Sequence, residues 1–137
     1  MSARAKQIIV IGLSWFLALA FLFAGGSKLA ASEMQVEGFA EWGFPLWFMY
    51  LTGALEVLAA VLIFVPPSRF LGAMLIVIIM IGAVATHAWH EEWEMLWMPA
   101  IPLVPAAFVA WQRRPGYRAR RGGNGGGKRK SLRRPIA

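Results

Sequence analysis

The chain has 137 residues, enough for one domain, and is 58% hydrophobic with a mean hydropathy of +0.56, more apolar than a soluble domain of this size needs. It contains no cysteine, which excludes structural disulfides, dithiol redox chemistry, covalent c-type haem and thiolate-held zinc or iron–sulfur clusters, so a redox role requires a bound cofactor. The net charge of +7 belongs to residues 113–137, which carry ten Lys/Arg and no acid; the remainder sets four basic residues against seven glutamates, a balance of −3.

The first apolar block, Ile8 to about Gly26, is interrupted only by Ser14 and small residues. At ~1.5 Å per residue it covers a ~30 Å hydrocarbon core. Arg4 and Lys6 ahead of it, and Ala30-Ala31-Ser32 behind it, also fit the n-region and a loose cleavage site of a signal peptide. The run is longer than a usual h-region, and cleavage would leave three spans with the basic tail outside, so a retained span is expected. The second block, Pro45 to Val65, is stopped by Pro66-Pro67, since neither proline can continue the hydrogen-bond ladder. The third runs from about Phe70 to Trp89. The fourth, about Met95 to Trp111, is short and holds Pro99, Pro102 and Pro105. It reads as an irregular helix whose freed carbonyls are met by neighbouring helices, with a re-entrant segment as the alternative. The expected fold is all-α: an integral membrane four-helix transmembrane bundle over residues 1–112, followed by a disordered polybasic tail over 113–137.

With four spans, Arg4, Lys6, Arg69 and the tail fall on one side and only Lys28 on the other, among Glu33, Glu37, Glu41, Glu91, Glu92 and Glu94. Basic loops stay cytoplasmic, so both termini are expected inside a plasma (inner) membrane. Trp42, Trp47, Trp89, Trp93 and Trp97 then gather at the outer interface as an aromatic belt. The tail interleaves basic clusters with residues 122–127, Gly-Gly-Asn-Gly-Gly-Gly, and cannot bury a core. It reads as an anchor on anionic lipid headgroups. Nucleic acid is not an expected partner, because Tyr117 is the tail's one aromatic residue and supplies no stacking platform.

Glu56 stands alone inside the second span. A carboxylate at bilayer depth must face protein or water. Met49, Thr52, Gly53, Ala59, Ala60 and Ile63 share its face, which is mostly small or polar; Leu51, Leu55, Leu58, Leu62 and Val65 form the lipid side. Glu56 is therefore the candidate proton or hydrogen-bond group, with Thr52 and Gly53 beside it as candidate ligand contacts. Its bland alternative is packing glue, hydrogen-bonded to Thr52 or a neighbouring helix. Lys28, at the end of the first span, either snorkels to the interface or finds a partner. Glu56 is a candidate partner, but counting depth from Gly26 puts it ~15 Å further in. A direct pair requires the first helix to extend past Lys28, or to tilt, or a bridging ligand. His87 closes the third span. A helix continuing through His90 and Glu94 would align all three as a metal-ligand set; a His87 hydrogen-bonded at the bundle mouth is the plainer reading, and no metal is expected. There is no phosphate loop, dinucleotide fingerprint, nucleophile elbow, in-membrane histidine pair or repeated half with broken helices.

Four stretches taken together, Phe21-Leu-Phe-Ala-Gly-Gly-Ser-Lys28, Glu41-Trp-Gly-Phe-Pro45, Gly53-Ala-Leu-Glu56 and Gly82-Ala-Val-Ala-Thr-His87, resemble the DoxX / DoxX-like family of small four-span membrane proteins. The likeness covers about residues 8–111. In that pattern a glycine-then-lysine closes the first span, a Gly-x-Pro turn follows, Gly-x-x-Glu lies in the second span and a histidine often closes the third; Lys28, Glu56 and His87 occupy those places. Some relatives are linked to thiosulfate:quinone oxidoreduction and others to membrane oxidoreductase assemblies, while many have no assigned activity. This chain has no obvious sulfur-binding group, so the thiosulfate reaction is not carried over. The resemblance implies a quinone- or lipid-ligand-binding subunit of a membrane oxidoreductase system, with a membrane or peripheral oxidoreductase partner and quinone as the cofactor to consider. The alternative is a non-enzymatic membrane scaffold whose polar residues serve assembly.

Overall fold

The computed structural model describes residues 1–116; the expectations for the rest of the tail lie outside the described residues. Five α-helices follow one another: α1 (Ala3–Leu29), α2 (Glu33–Glu41), α3 (Leu46–Phe64), α4 (Arg69–Trp89) and α5 (Trp97–Arg113). Among the described residues there is no strand. α1, α3, α4 with the 3-10 turn Pro66–Ser68, and α5 with the 3-10 turn Trp93–Met95 are each long and apolar enough to cross a membrane. The chain is an integral, multi-pass membrane protein of four spans, as its apolar blocks predict. The fourth span is a continuous helix. Pro99 sits in its first turn, where the N–H would be unpaired anyway, while Pro102 and Pro105 withdraw the helical donors of the Met98 and Ile101 carbonyls.

The helix ends are closed by specific local chemistry. At the foot of α3 the last four carbonyls all find donors. Val65 N–H donates to Val61, Ser68 Oγ to Leu62 at 2.8 Å, Arg69 Nε to Ile63 at 3.0 Å and Arg69 Nη2 to Phe64 at 3.2 Å. Arg69 is thus buried as a cationic cap on a helix C-terminus, where the macrodipole favours it. At the opposite end of the bundle, α1, α2 and α4 each finish in a left-handed residue followed by a 6→1 bond: Ala31 (φ 51°), Gly43 (φ 76°) and Glu91 (φ 58°). Each closes a Schellman motif and turns the chain sharply back across the bundle mouth.

α1 packs most extensively on α3, α4 on α5, and the α3–α4 hairpin joins the two pairs. In lipid, where apolar burial drives nothing, close approach of small residues holds such pairs. Ala59, Ala60, Ile63, Ala73, Ile76, Ala106 and Val109 fill the hairpin half with Leu17 of α1. A Cβ placed on Gly72 would run into the Ile63 backbone, so α3 and α4 touch there main chain to main chain. Toward the α2 end no comparable core forms, and the two pairs leave a cleft between them.

Candidate functional site

The cleft holds about 610 Å³, within the ~300–1,000 Å³ of small-molecule sites. Its walls are apolar, from Phe21, Phe48, Leu55, Ile79, Met80 and Pro102 among others, and its polar groups are few: Lys28, Gln35, Thr52, Glu56, Thr86 and His87. α2 and the turn after it roof the α2 end through Phe39 and Trp42, part of an aromatic cluster with Phe44 and Phe48 at centroid distances of 4.8–6.5 Å.

Glu56 lies one face of α3 inward, 4% exposed, with Met49, Gly53, Ala59, Ala60 and Ile63 buried alongside it. Of the side assigned to lipid from spacing, Leu51, Leu58 and Val65 are exposed, whereas Leu55 and Leu62 are half-buried and Leu55 lines the cleft. Lys28 is also buried, and its Nζ sits 3.0 Å from Glu56 Oε2. The two form an ion pair, yet no well-directed hydrogen bond reaches Oε2. Among the described residues Lys28 is the one donor near that oxygen, which has a further lone pair to offer.

Two glycines make the pair possible. A Cβ on Gly25 would come within 2.6 Å of the Gly53 carbonyl, and one on Gly53 within 2.8 Å of Lys28 Cβ. The backbones of α1 and α3 therefore meet at this point. Lys28 stands level with Gly53, only ~4.5 Å along α3 from Glu56, and its four-carbon stem covers the remainder. The depth count from Gly26 is thus corrected. α1 does not end with its apolar run but continues to Leu29, carrying Lys28 inside the bundle.

Thr52 lines the cleft with its hydroxyl donated to the Phe48 carbonyl at 2.8 Å. Gly53 lies beneath Lys28 and contributes by closeness, not by lining the cavity. His87 reaches the cleft from the other helix pair and joins neither Lys28 nor Glu56. Its Nδ1 is 2.6 Å from Glu92 Oε2. The aligned set of His87, His90 and Glu94 does not form, because α4 stops at Trp89 and the left-handed turn at Glu91 breaks the helical register. His90 instead places Nδ1 2.8 Å from the Thr86 carbonyl and Nε2 3.2 Å from the Trp42 carbonyl, and in either neutral tautomer the ring donates to one of the two.

Sequence reasoning missed Glu92 and the inward role of Trp42. Trp42 Nε1 donates to Glu92 Oε1 at 3.1 Å, and its ring meets His87 edge-on at 5.2 Å. The Trp42 donor, then His87, hold the Glu92 carboxyl below the usual glutamate range. Trp42 therefore leaves the belt, while Trp47, Trp89, Trp93 and Trp97 remain well exposed. The signal available was its place directly before the Gly-Phe-Pro turn.

Residues 12–109 match the model of the DoxX-like family. The chain is also 36% identical over 81 residues to a Bacillus subtilis (strain 168) protein described as uncharacterized protein YdgD, an overlap of 56% of this chain and 71% of that one. No solved structure matches the chain.

Proposed function

The chain belongs to the DoxX-like family, and on that premise we propose that it binds a quinone or another lipid-like ligand in its cleft, as the membrane subunit of an oxidoreductase system. It sits in the plasma (inner) membrane with both termini cytoplasmic, a disposition supported by the basic residues Arg4, Lys6, Arg69, Arg113 and Arg114 lying at one end of the bundle. The observation that carries the reading is Glu56: a carboxylate 4% exposed, at membrane depth, lining an apolar cavity with one oxygen lacking a directed donor. A residue kept only for packing would be cheaper as an apolar one.

The residues fit a quinone head group. Lys28 donates toward a carbonyl oxygen, Glu56 accepts from a hydroxyl, and His87 borders the same cleft. The bound quinone would supply electron transfer, and the chain's part is to orient the head, exclude water beneath the α2 roof and hold a proton at Glu56. The experiment is mass spectrometry of lipids co-purifying with wild type and with Glu56→Gln in one detergent, with the fold followed by circular dichroism. A quinone or other defined lipophile enriched in wild type and lost in the folded variant is the expected result. Ordinary phospholipid in both would overturn it.

One observation favours a second reading. The Lys28–Glu56 pair joins α1 directly to α3 across the glycine contact, which suits a scaffold whose polar residues serve assembly. On that reading Glu56→Gln changes stability or association state and leaves the co-purifying lipid unaltered.

A further inference from the structure

The ion pair that lines the cleft is balanced: Lys28 Nζ stands 3.0 Å from Glu56 Oε2. Wherever the shared proton of Lys28 and Glu56 resides, the two together carry no net charge. A ligand bearing a full charge would enter a low-dielectric site with nothing to neutralise it, unless it broke the pair and left a buried ion behind. Hydrogen-bonding capacity is nevertheless abundant. Glu56 Oε2 lacks a well-directed hydrogen bond, and the side-chain amide of Gln35 makes none among the described residues. Pro102 and Pro105 leave the Met98 and Ile101 carbonyls, at two residues of the cleft wall, without helical donors.

The route in is equally constrained. Phe39 and Trp42 roof the α2 end, and Trp42 is fastened across to the α4 side by Glu92 and His90. By contrast Phe16, Leu51, Ile78 and Ile101 line the cleft and are each about half exposed, on helix faces that meet acyl chains. The cleft opens sideways, toward lipid.

Resting on the reading of the cleft as a ligand site, we propose that its ligand is an uncharged amphiphile, with a hydroxyl or carbonyl head and a hydrocarbon tail, that enters laterally from the hydrocarbon of the bilayer. The head lies against Lys28 and Glu56 and the tail runs between Phe16 and Ile101. Charged-head lipids of the same chain length are rejected by the balanced pair.

The test uses the full chain in nanodiscs with three photoreactive diazirine probes of one chain length: a fatty alcohol, a fatty acid and an alkylammonium. Labelled peptides are located by mass spectrometry. In wild type the alcohol is expected to label cleft residues about tenfold more than either ion, the least that one uncompensated charge in such a site implies. Glu56→Gln strips Lys28 of its counter-charge and is expected to turn the preference to the fatty acid. The double variant Lys28→Met with Glu56→Gln is uncharged again and is expected to return it to the alcohol. If the acid or the ammonium labels the wild-type cleft as well as the alcohol does, the charge selection is wrong while the site stands. If no probe labels the cleft above outward positions such as Phe23, the ligand site itself is wrong. Should Glu56→Gln fail to fold, the wild-type comparison and the double variant decide alone.

Discussion

At the scale of single residues, the feature that sets this protein apart from a plain hydrophobic bundle is one ion pair on a glycine contact. Neither partner is tolerable alone. Burying a lone carboxylate or ammonium costs several kcal/mol even after relaxation, and the pair recovers that cost only through its own geometry. That geometry depends on residues with no charge: a side chain at Gly25 or Gly53 would meet the facing helix within 3 Å, so α1 and α3 would have to move apart beneath the pair. Lys28→Met is therefore expected to lower stability by roughly 3 kcal/mol, and the double variant Lys28→Met with Glu56→Gln to regain most of it, because breaking a buried pair is costlier than replacing it. Reversible unfolding in mixed micelles measures both. A double variant no more stable than Lys28→Met would mean that the two side chains do not act as a unit.

At the scale of elements, the four spans were legible, whereas α2 and the ends of α1 were not. Continuous apolar runs and the Pro66-Pro67 stop mark α3 and α4 to within a residue or so, since lipid leaves the backbone no alternative to a helix. α2 was hidden because nine residues with three glutamates carry little apolar signal; it is held by one buried residue, Phe39. The reach of Lys28 was misjudged for a related reason. Hydropathy ends at Gly26, whereas the helix ends where its hydrogen bonds end, at the Schellman turn through Ala31. Such turns favour glycine, yet only one of the three has it. A left-handed non-glycine residue costs ~1–2 kcal/mol. Glu91 bears that cost in order to fold Glu92 back onto His87 and Trp42. Glu91→Gly keeps the turn and removes the strain, so it is expected to raise stability by about 1 kcal/mol, visible as a higher midpoint in thermal unfolding. A lower midpoint would show that the Glu91 side chain, and not the turn, matters there.

For the whole molecule, the two helix pairs are held differently at their two ends. The hairpin end is an apolar core in which Ala59, Ala60, Ala73 and Ala106 pack among Leu17, Ile63 and Ile76. The α2 end is closed by a polar clasp in which Glu92 holds Trp42 with one oxygen and His87 with the other, while His90 takes the Trp42 carbonyl. Closure is therefore sensitive to conditions at one end only. Because the Trp42 and His87 bonds lower the Glu92 pKa, the clasp stabilises the closed form fully above the ordinary glutamate value of about 4.3. That contribution is lost as pH falls through the lower value of the folded protein. Acidification below the ordinary range is expected to release α2 before the bundle unfolds. Amide exchange should then quicken across residues 33–44 while α3 and α4 near the Ile63–Gly72 contact stay protected. Glu92→Ala should show the faster exchange already at neutral pH, with no further change in acid specific to α2. Exchange that quickens evenly over both ends on acidification, or an α2 that responds to acid equally in Glu92→Ala, would place the pH response outside the clasp. The arrangement lets one small bundle combine a rigid foot and a Gly25–Gly53 contact that sets Glu56 against Lys28 with a mouth whose closure leans on the partly exposed Glu92 carboxylate.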